Sequence, residues 1–289
     1  EGFDPEAVLK AVHSQRATAL YGVPTMFIAE LDHADFESFD LSTLRTGIMA
    51  GSICPAEVMR QVINKMNMKG VQIAYGMTET SPVSTQTGAD DSIDKRVSTV
   101  GRTQPHLETK IVDPGSGGIL PRGEIGELCT RGYSVMLKYW NNDKATHEAI
   151  DAAGWMHTGD LATMDEEGYV QIVGRIKDMV IRGGENVYPK EIEEFLYTHP
   201  AISEVQVTGV PDKKYGEELI AWVKLNGSND DITSDDLREF CKGKITHFKI
   251  PRYFKFVEDF PMTVTGKIQK FKMREISIQE LGLDDAKKD

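Results

Sequence analysis

The stretch 174–193, GRIKDMVIRGGENVYPKEIE, separates two kinds of sequence. Before it lie short apolar pieces broken by Gly, Pro and Asp; after it come longer runs with helical spacing. Within it, Gly183 and Gly184 follow an apolar run and precede Pro189 at a helix start. Most Gly-Gly pairs in such a place are turns, here between a strand and a helix. The flanking charges of Arg175, Lys177, Asp178, Arg182 and Glu185 raise a second reading, a ligand drawn against bare backbone.

Working outward, residues 177–289 read as one α+β module. PKEIEEFLYTHP (189–200) is a helix with Ile192, Phe195 and Leu196 on one face and Pro200 as its stop. EVQVTGV (204–210), LIAWVKL (219–225) and RYFKFVE (252–258) read as strands, SDDLREFCKGK (234–244) as a helix capped by Ser234, and KIQKFKMREISIQEL as a last helix. Residues 101–176 carry the strand-like pieces LETKIVD, GEIGELCTRG, LATMD and YVQIVG between turn residues, which suits a small antiparallel sheet or barrel, a barrel-like subdomain. Residues 1–100 alternate: a helix at 5–16, a strand at LRTGIM (44–49), a helix at 55–66 and a buried strand at VQIA (71–74). The 55–66 helix stripes Val58, Met59, Val62, Ile63 and Met66, and the β-α-β order implies a parallel sheet covered by helices.

Composition sets limits. The 289 residues are 40% apolar and 27% charged, ordinary for a globular chain with room for two domains. A formal charge of −12 argues against general nucleic-acid affinity. No apolar run is long enough for a transmembrane helix, and no signal peptide opens the chain. Cys54, Cys129 and Cys241 have no CxxC spacing and read as reduced thiols of a cytosol-like compartment. No HExxH pattern marks a metal site. Between Arg238 and Arg274, ten Lys/Arg face three acids, a local excess of seven positive charges. Such a run is ordinarily a solvated face; the sharper alternative is a landing site for a small polyanion.

Four short motifs carry chemistry. VQIAYGMTET (71–80) leaves a strand end with Tyr75, Gly76, Thr78 and Glu79, where open α/β sheets bind ligands. GWMHTGDLA (154–162) sets Asp160 on a turn, where one carboxylate can accept from two ribose hydroxyls. GRIKD offers Arg175, and TGKIQK (265–270) offers Lys267, although no GxxxxGK[ST] loop is present. Each alone is more economically a cap, a turn or a solvated charge.

Their order is a stronger signal. YGMTET, GELCTRGYSVMLKYW, GWMHTGDLA, GRIKDMVIRGGENVYPKEIE and TGKIQKFKMRE resemble, in sequence, the core motifs of adenylate-forming enzymes: acyl-CoA synthetases, peptide-synthetase adenylation domains and luciferases. The likeness runs from YGVPTMF (21–27) onward and looks closest to acyl-CoA synthetase family member 2 and bacterial fatty-acid–CoA ligases. One departure stands out: the family's upstream Ser/Thr/Gly-rich phosphate loop is missing. The chain therefore resembles the C-terminal portion of such an enzyme.

The resemblance implies an ATP-dependent, AMP-forming acid–thiol ligase, with ATP, Mg²⁺ and coenzyme A as cofactors or co-substrates and a carboxylic acid, by resemblance a medium-chain fatty acid, as substrate. It implies a cytoplasmic protein, or a mitochondrial-matrix one in a eukaryote. Tyr75 with Gly76, and the AGSI turn (50–53) with Ser52, would border adenine. Thr78 would meet the α-phosphate and Glu79 would hold Mg²⁺. Asp160 and Arg175 would hold the ribose, and Lys267 would neutralise charge developing during adenylation. Residues 177–289 would pivot at Lys177, bringing Gly183, Gly184 and Glu185 beside the pantetheine arm for the second step. A carrier-protein-loading adenylation domain and a non-catalytic fragment binding nucleotide or coenzyme A are the alternatives.

Overall fold

The structure, a computed structural model, describes residues 2–51, 54–226, 232–263 and 268–283. Two compact units divide between Ile172 and Val173.

The first unit opens with α1 (Pro5–Gln15), whose Asp4 cap accepts from the Ala7 amide at 3.1 Å. Then follow β1 (Ala19–Gly22), α2 (Pro24–Leu31), β2 (Thr46–Ala50), α3 (Ala56–Lys65), β3 (Gly70–Gly76), β4 (Val83–Gln86), α4 (Ile93–Ser98) and β5 (Arg102–Thr103). The expected stripe on α3 is real: Met59, Val62 and Met66 are buried, with Val58 and Ile63 packed against the same core. The five strands form one sheet in the order β1-β2-β3-β4-β5. Strands β1 to β3 are parallel, as anticipated, but β4 pairs antiparallel with β3 and β5 antiparallel with β4, so the sheet is mixed. The cause is the link after β3. Only residues 77–82 separate it from β4, too few for the crossover a parallel neighbour needs.

The rest of this unit is β6 (Leu107–Val112), β7 (Gly126–Gly132), α5 (Asp143–Ala149), β8 (Met156–Met164) and the start of β9 (Val170–Arg175). They form an antiparallel sheet, β6-β7-β8-β9, which stays open, the sheet of the two forms expected rather than a closed barrel. Its β9 edge bonds to residues 100 and 101 instead of β6: the Val100 amide donates to the Val170 carbonyl at 2.8 Å and the Val170 amide to Gly101 at 2.9 Å. LATMD is not a separate strand but the end of the nine-residue β8.

The second unit holds β10 (Val180–Arg182), β11 (Glu185–Val187), α6 (Pro189–Leu196), β12 (Ile202–Asp212), β13 (Gly216–Leu225), α7 (Ser234–Cys241), β14 (Tyr253–Phe256) and α8 (Lys270–Leu281). Its sheet runs β11-β10-β13-β12, with β14 parallel beside β13. Strand β13 is buried on both faces, and its alternation sorts residues between two layers. Leu219, Ala221 and Val223 pack with α6 and α7 residues Ile192, Leu196, Leu237 and Cys241. Ile220 and Trp222 pack with α8 residues Met273 and Ile278. The cap of α7 is Thr233, one residue before the expected Ser234, in a capping box with Asp236. Both candidates carry a hydroxyl, and only Thr233 has the extended backbone a cap requires.

One buried group sits at odds with its surroundings. Glu30 on α2 is 2% exposed, its Oε2 has no hydrogen-bond partner, and burial pushes its carboxyl up to about 7. Because this pKa lies above its unfolded value, its stabilising effect is complete at low pH and lost as pH rises through about 7. The Glu30→Gln variant should therefore gain stability over the parent by ~3 kcal/mol at pH 8, and nothing at pH 4. Urea melts at the two pH values check this.

Candidate active site

Parallel strands β1 to β3 end at one edge of their sheet, and the site is built there. Ala50 stands beside Ala74 in the register, so the turn after β2 leaves next to Tyr75. Gly51 there has a φ of +92°; Ser52 and Ile53, the rest of the AGSI turn, lie outside the described residues.

The YGMTET turn is shaped by a close backbone approach. A Cβ on Gly76 would stand 1.7 Å from the Pro82 carbonyl oxygen, so no other residue fits where β3 meets β4. Thr80 is buried and locks the turn, donating to the Pro82 carbonyl at 2.8 Å and accepting from the Met77 amide at 3.1 Å. Thr78 is thereby left exposed and Glu79 half-buried. The Tyr139 hydroxyl donates to Glu79 Oε1 at 2.8 Å, and the Met136 amide donates to the Glu79 carbonyl at 2.8 Å. Burial, and then this bond to Glu79, raise the Tyr139 pKa and keep it a donor.

The second carboxylate arrives from β8. The Tyr75 hydroxyl donates to Asp160 Oδ2 at 2.6 Å, joining two motifs 85 residues apart. Asp160 is on the first unit and Arg175 at the end of β9, where the second unit begins. Lys267 lies outside the described residues.

Residues 1–140 match the family model for AMP-binding enzymes, and residues 191–267 match that of the AMP-binding enzyme C-terminal domain. The chain belongs to the AMP-binding enzyme family. Within that family it is 59% identical over 284 residues to the protein named "Putative acyl-CoA synthetase YngI" of Bacillus subtilis (strain 168), covering 98% of this chain and 52% of that one. It is 50% identical to the mitochondrial medium-chain acyl-CoA ligase ACSF2 of Bos taurus, covering 97% of this chain and 46% of that one. Among solved structures, ATP-bound MatB from Rhodopseudomonas palustris matches with a TM-score of 0.86 at 34% identity, over 96% of this chain and 54% of that one. The chain thus spans about half the length of the curated relatives it matches.

The other AMP-binding motifs have local explanations too. Gly183 and Gly184 are not a strand-to-helix turn but the two-residue turn of the β10–β11 hairpin, with Arg182 paired to Glu185. Their φ values of +60° and +90° are the left-handed pair that a type I′ hairpin demands. A Cβ on Gly183 would meet Tyr215 at 3.2 Å, whereas one on Gly184 would meet nothing within 4 Å. The hairpin is anchored by Arg182, which makes a two-pronged bond to Glu218, itself 1% exposed. Lys177 is exposed in the short 3₁₀ turn Ile176–Asp178 between β9 and β10.

The basic 238–274 stretch is not an open positive patch. Lys249 pairs with Glu191, Arg252 with Asp212, Lys255 with Glu280, Lys270 with Glu193 and Arg274 with Glu217. All five acids lie outside the stretch, so a count along the chain missed them. Arg238 and Lys242 pair locally with Asp235 and Glu239. A groove of about 350 Å³, lined by residues such as Phe36, Phe39, Lys65 and Asn67, contains none of the candidate residues.

Sequence reasoning missed Tyr139, Glu127 and His157. Among the described residues, donor atoms of Glu127, Cys129 and His157 lie within 4.8 Å of one another, a grouping no local spacing announces. They meet because Cys129 and His157 are cross-strand partners on β7 and β8, with Glu127 two residues along. The cluster is a hydrogen-bonded one. Both Glu127 oxygens are engaged, and burial pushes the Cys129 thiol up to about 12.

The two glycine environments separate in a denaturation experiment. Gly76→Ala should cost more than ~3 kcal/mol or prevent folding, because carbonyl and Cβ cannot share the space. Gly184→Ala, with open surroundings but a left-handed backbone, should cost only ~1–2 kcal/mol.

Proposed function

We propose that the protein represented by this chain activates a carboxylic acid with ATP and then joins it to coenzyme A, its acid being a medium-chain fatty acid. The observation that carries the proposal is the Tyr75–Asp160 hydrogen bond at the carboxyl edge of the parallel strands. Relatives at 59% and 50% identity whose names describe acyl-CoA chemistry support it.

In the first step the acid's carboxylate oxygen attacks the α-phosphorus of ATP. The bond from that phosphorus to its bridging oxygen breaks, and pyrophosphate departs. Asp160 accepts from the vicinal ribose hydroxyls, with Arg175 as a second ribose partner. Tyr75 and Gly76 border adenine together with the turn containing Ser52. Thr78, exposed at the strand end, donates to an α-phosphate oxygen. Glu79 fits a Mg²⁺ ligand, because Mg²⁺ at nucleotide sites takes one or two carboxylates beside phosphate oxygens. When bound, the ion would neutralise phosphate charge. Lys267 balances the charge that develops as the new bond forms. In the second step the coenzyme A thiolate attacks the acyl carbon and AMP leaves.

The proposal includes segment limits of 1–100, 101–176 and 177–289, with Lys177 as the pivot. The turn at Gly183, Gly184 and Glu185 serves the thioester step, where open space at Gly184 leaves room beside bare backbone. A reducing compartment, cytoplasm or mitochondrial matrix, suits three unpaired buried thiols. Among the described residues, no helix is long and apolar enough to cross a membrane.

In the full-length protein, Lys267→Ala should reduce acid-dependent ATP–pyrophosphate exchange by about a hundredfold or more and spare thioester formation from preformed acyl-adenylate. Gly184→Leu should do the reverse. Equal loss of both activities in either variant would contradict the role given to that residue. Absence of exchange with every acid in a panel of chain lengths would remove the function itself.

A further inference from the structure

We propose that Glu127 is a positioning residue for nucleotide binding: its carboxylate holds the bulge on β8 that carries Asp160 out to Tyr75. The proposal rests on the ribose role given to Asp160 above.

The bulge is large. Glu127 pairs with Leu161 and Cys129 with His157, so Thr158, Gly159 and Asp160 of β8 lie opposite the single residue Leu128 of β7. Two extra residues on one strand interrupt the ladder and leave amides that the neighbouring strand's backbone does not serve. Glu127, only 8% exposed, supplies the replacement. Its Oε1 accepts from the Gly159 amide at 3.0 Å, where the backbone turns left-handed at φ +71°. Its Oε2 lies 2.8 Å from His157 Nδ1, at the foot of the same bulge. Thr158 completes the frame: its hydroxyl donates to the Leu128 carbonyl at 2.6 Å and accepts from the Asp160 amide at 3.1 Å.

One carboxylate thus grips the bulge at its foot and its apex, and Asp160 follows directly. No side-chain contact between Glu127 and Asp160 is needed. The coupling runs through the 157–160 backbone, and Tyr75 catches the carboxylate so presented.

The experiment is a double-mutant cycle in the full-length protein, read by calorimetry with AMP. Glu127→Ala should weaken AMP roughly tenfold when Asp160 is intact, the scale of one lost charge-assisted hydrogen bond. In an Asp160→Ala background it should weaken AMP less than about twofold, since the group it positions is gone. Glu127→Gln keeps an acceptor for the Gly159 amide and should stay within about threefold of the parent. Equal weakening in both backgrounds, or unchanged AMP affinity in Glu127→Ala, overturns the positioning role. If Asp160→Ala alone leaves AMP affinity unchanged, the ribose assignment falls and this proposal with it. Should Glu127→Ala fail to fold, Glu127→Asp, anionic but one methylene shorter, takes its place with the same outcomes.

Discussion

A hydrogen bond, 2.6 Å from the Tyr75 hydroxyl to Asp160, joins the two sheets of the first unit at the candidate site. It links the edge at which three parallel strands end to a bulge in an antiparallel strand 85 residues further on. Asp160 lies among the three β8 residues that face one residue of β7, while Tyr75 keeps regular register just before a glycine jammed against a carbonyl.

Much of this was legible in the sequence. The apolar stripe of α3, the alternation of β13 and the motif order gave the element types, because those signals are local and periodic. The mixed character of the first sheet was not, since strand direction depends on the length of residues 77–82 rather than on the strands themselves. The choice between sheet and barrel for residues 101–176 stayed open for a similar reason: residues 100 and 101 occupy the edge a barrel would have used. Tyr75, Glu79 and Asp160 stand in short motifs whose chemistry suggested them, whereas Tyr139 and Glu127, although inside GELCTRGYSVMLKYW, show their partners Glu79 and Gly159 only in the folded chain. The basic stretch shows the same limit in electrostatics. Its neutralising acids are neighbours in space and strangers in sequence.

Gly183 and Gly184 show how one residue can have two sufficient reasons. The hairpin alone requires left-handed backbone at both positions. Open surroundings at Gly184 are a separate property, which the turn does not demand. Glycine at 184 therefore satisfies the fold without disclosing whether anything passes beside it, and only a comparison of stability with turnover can divide the two demands.

The layering of the second unit bears on how it could be excised. The match to the C-terminal-domain family model stops at residue 267, three residues before α8 starts. Cutting there would peel away α8 from over Ile220 and Trp222, stranding the indole N–H that donates to Ser277 at 2.9 Å. A boundary drawn by similarity would leave a two-layer remnant with a wet aromatic face; a boundary drawn by burial keeps the sandwich whole.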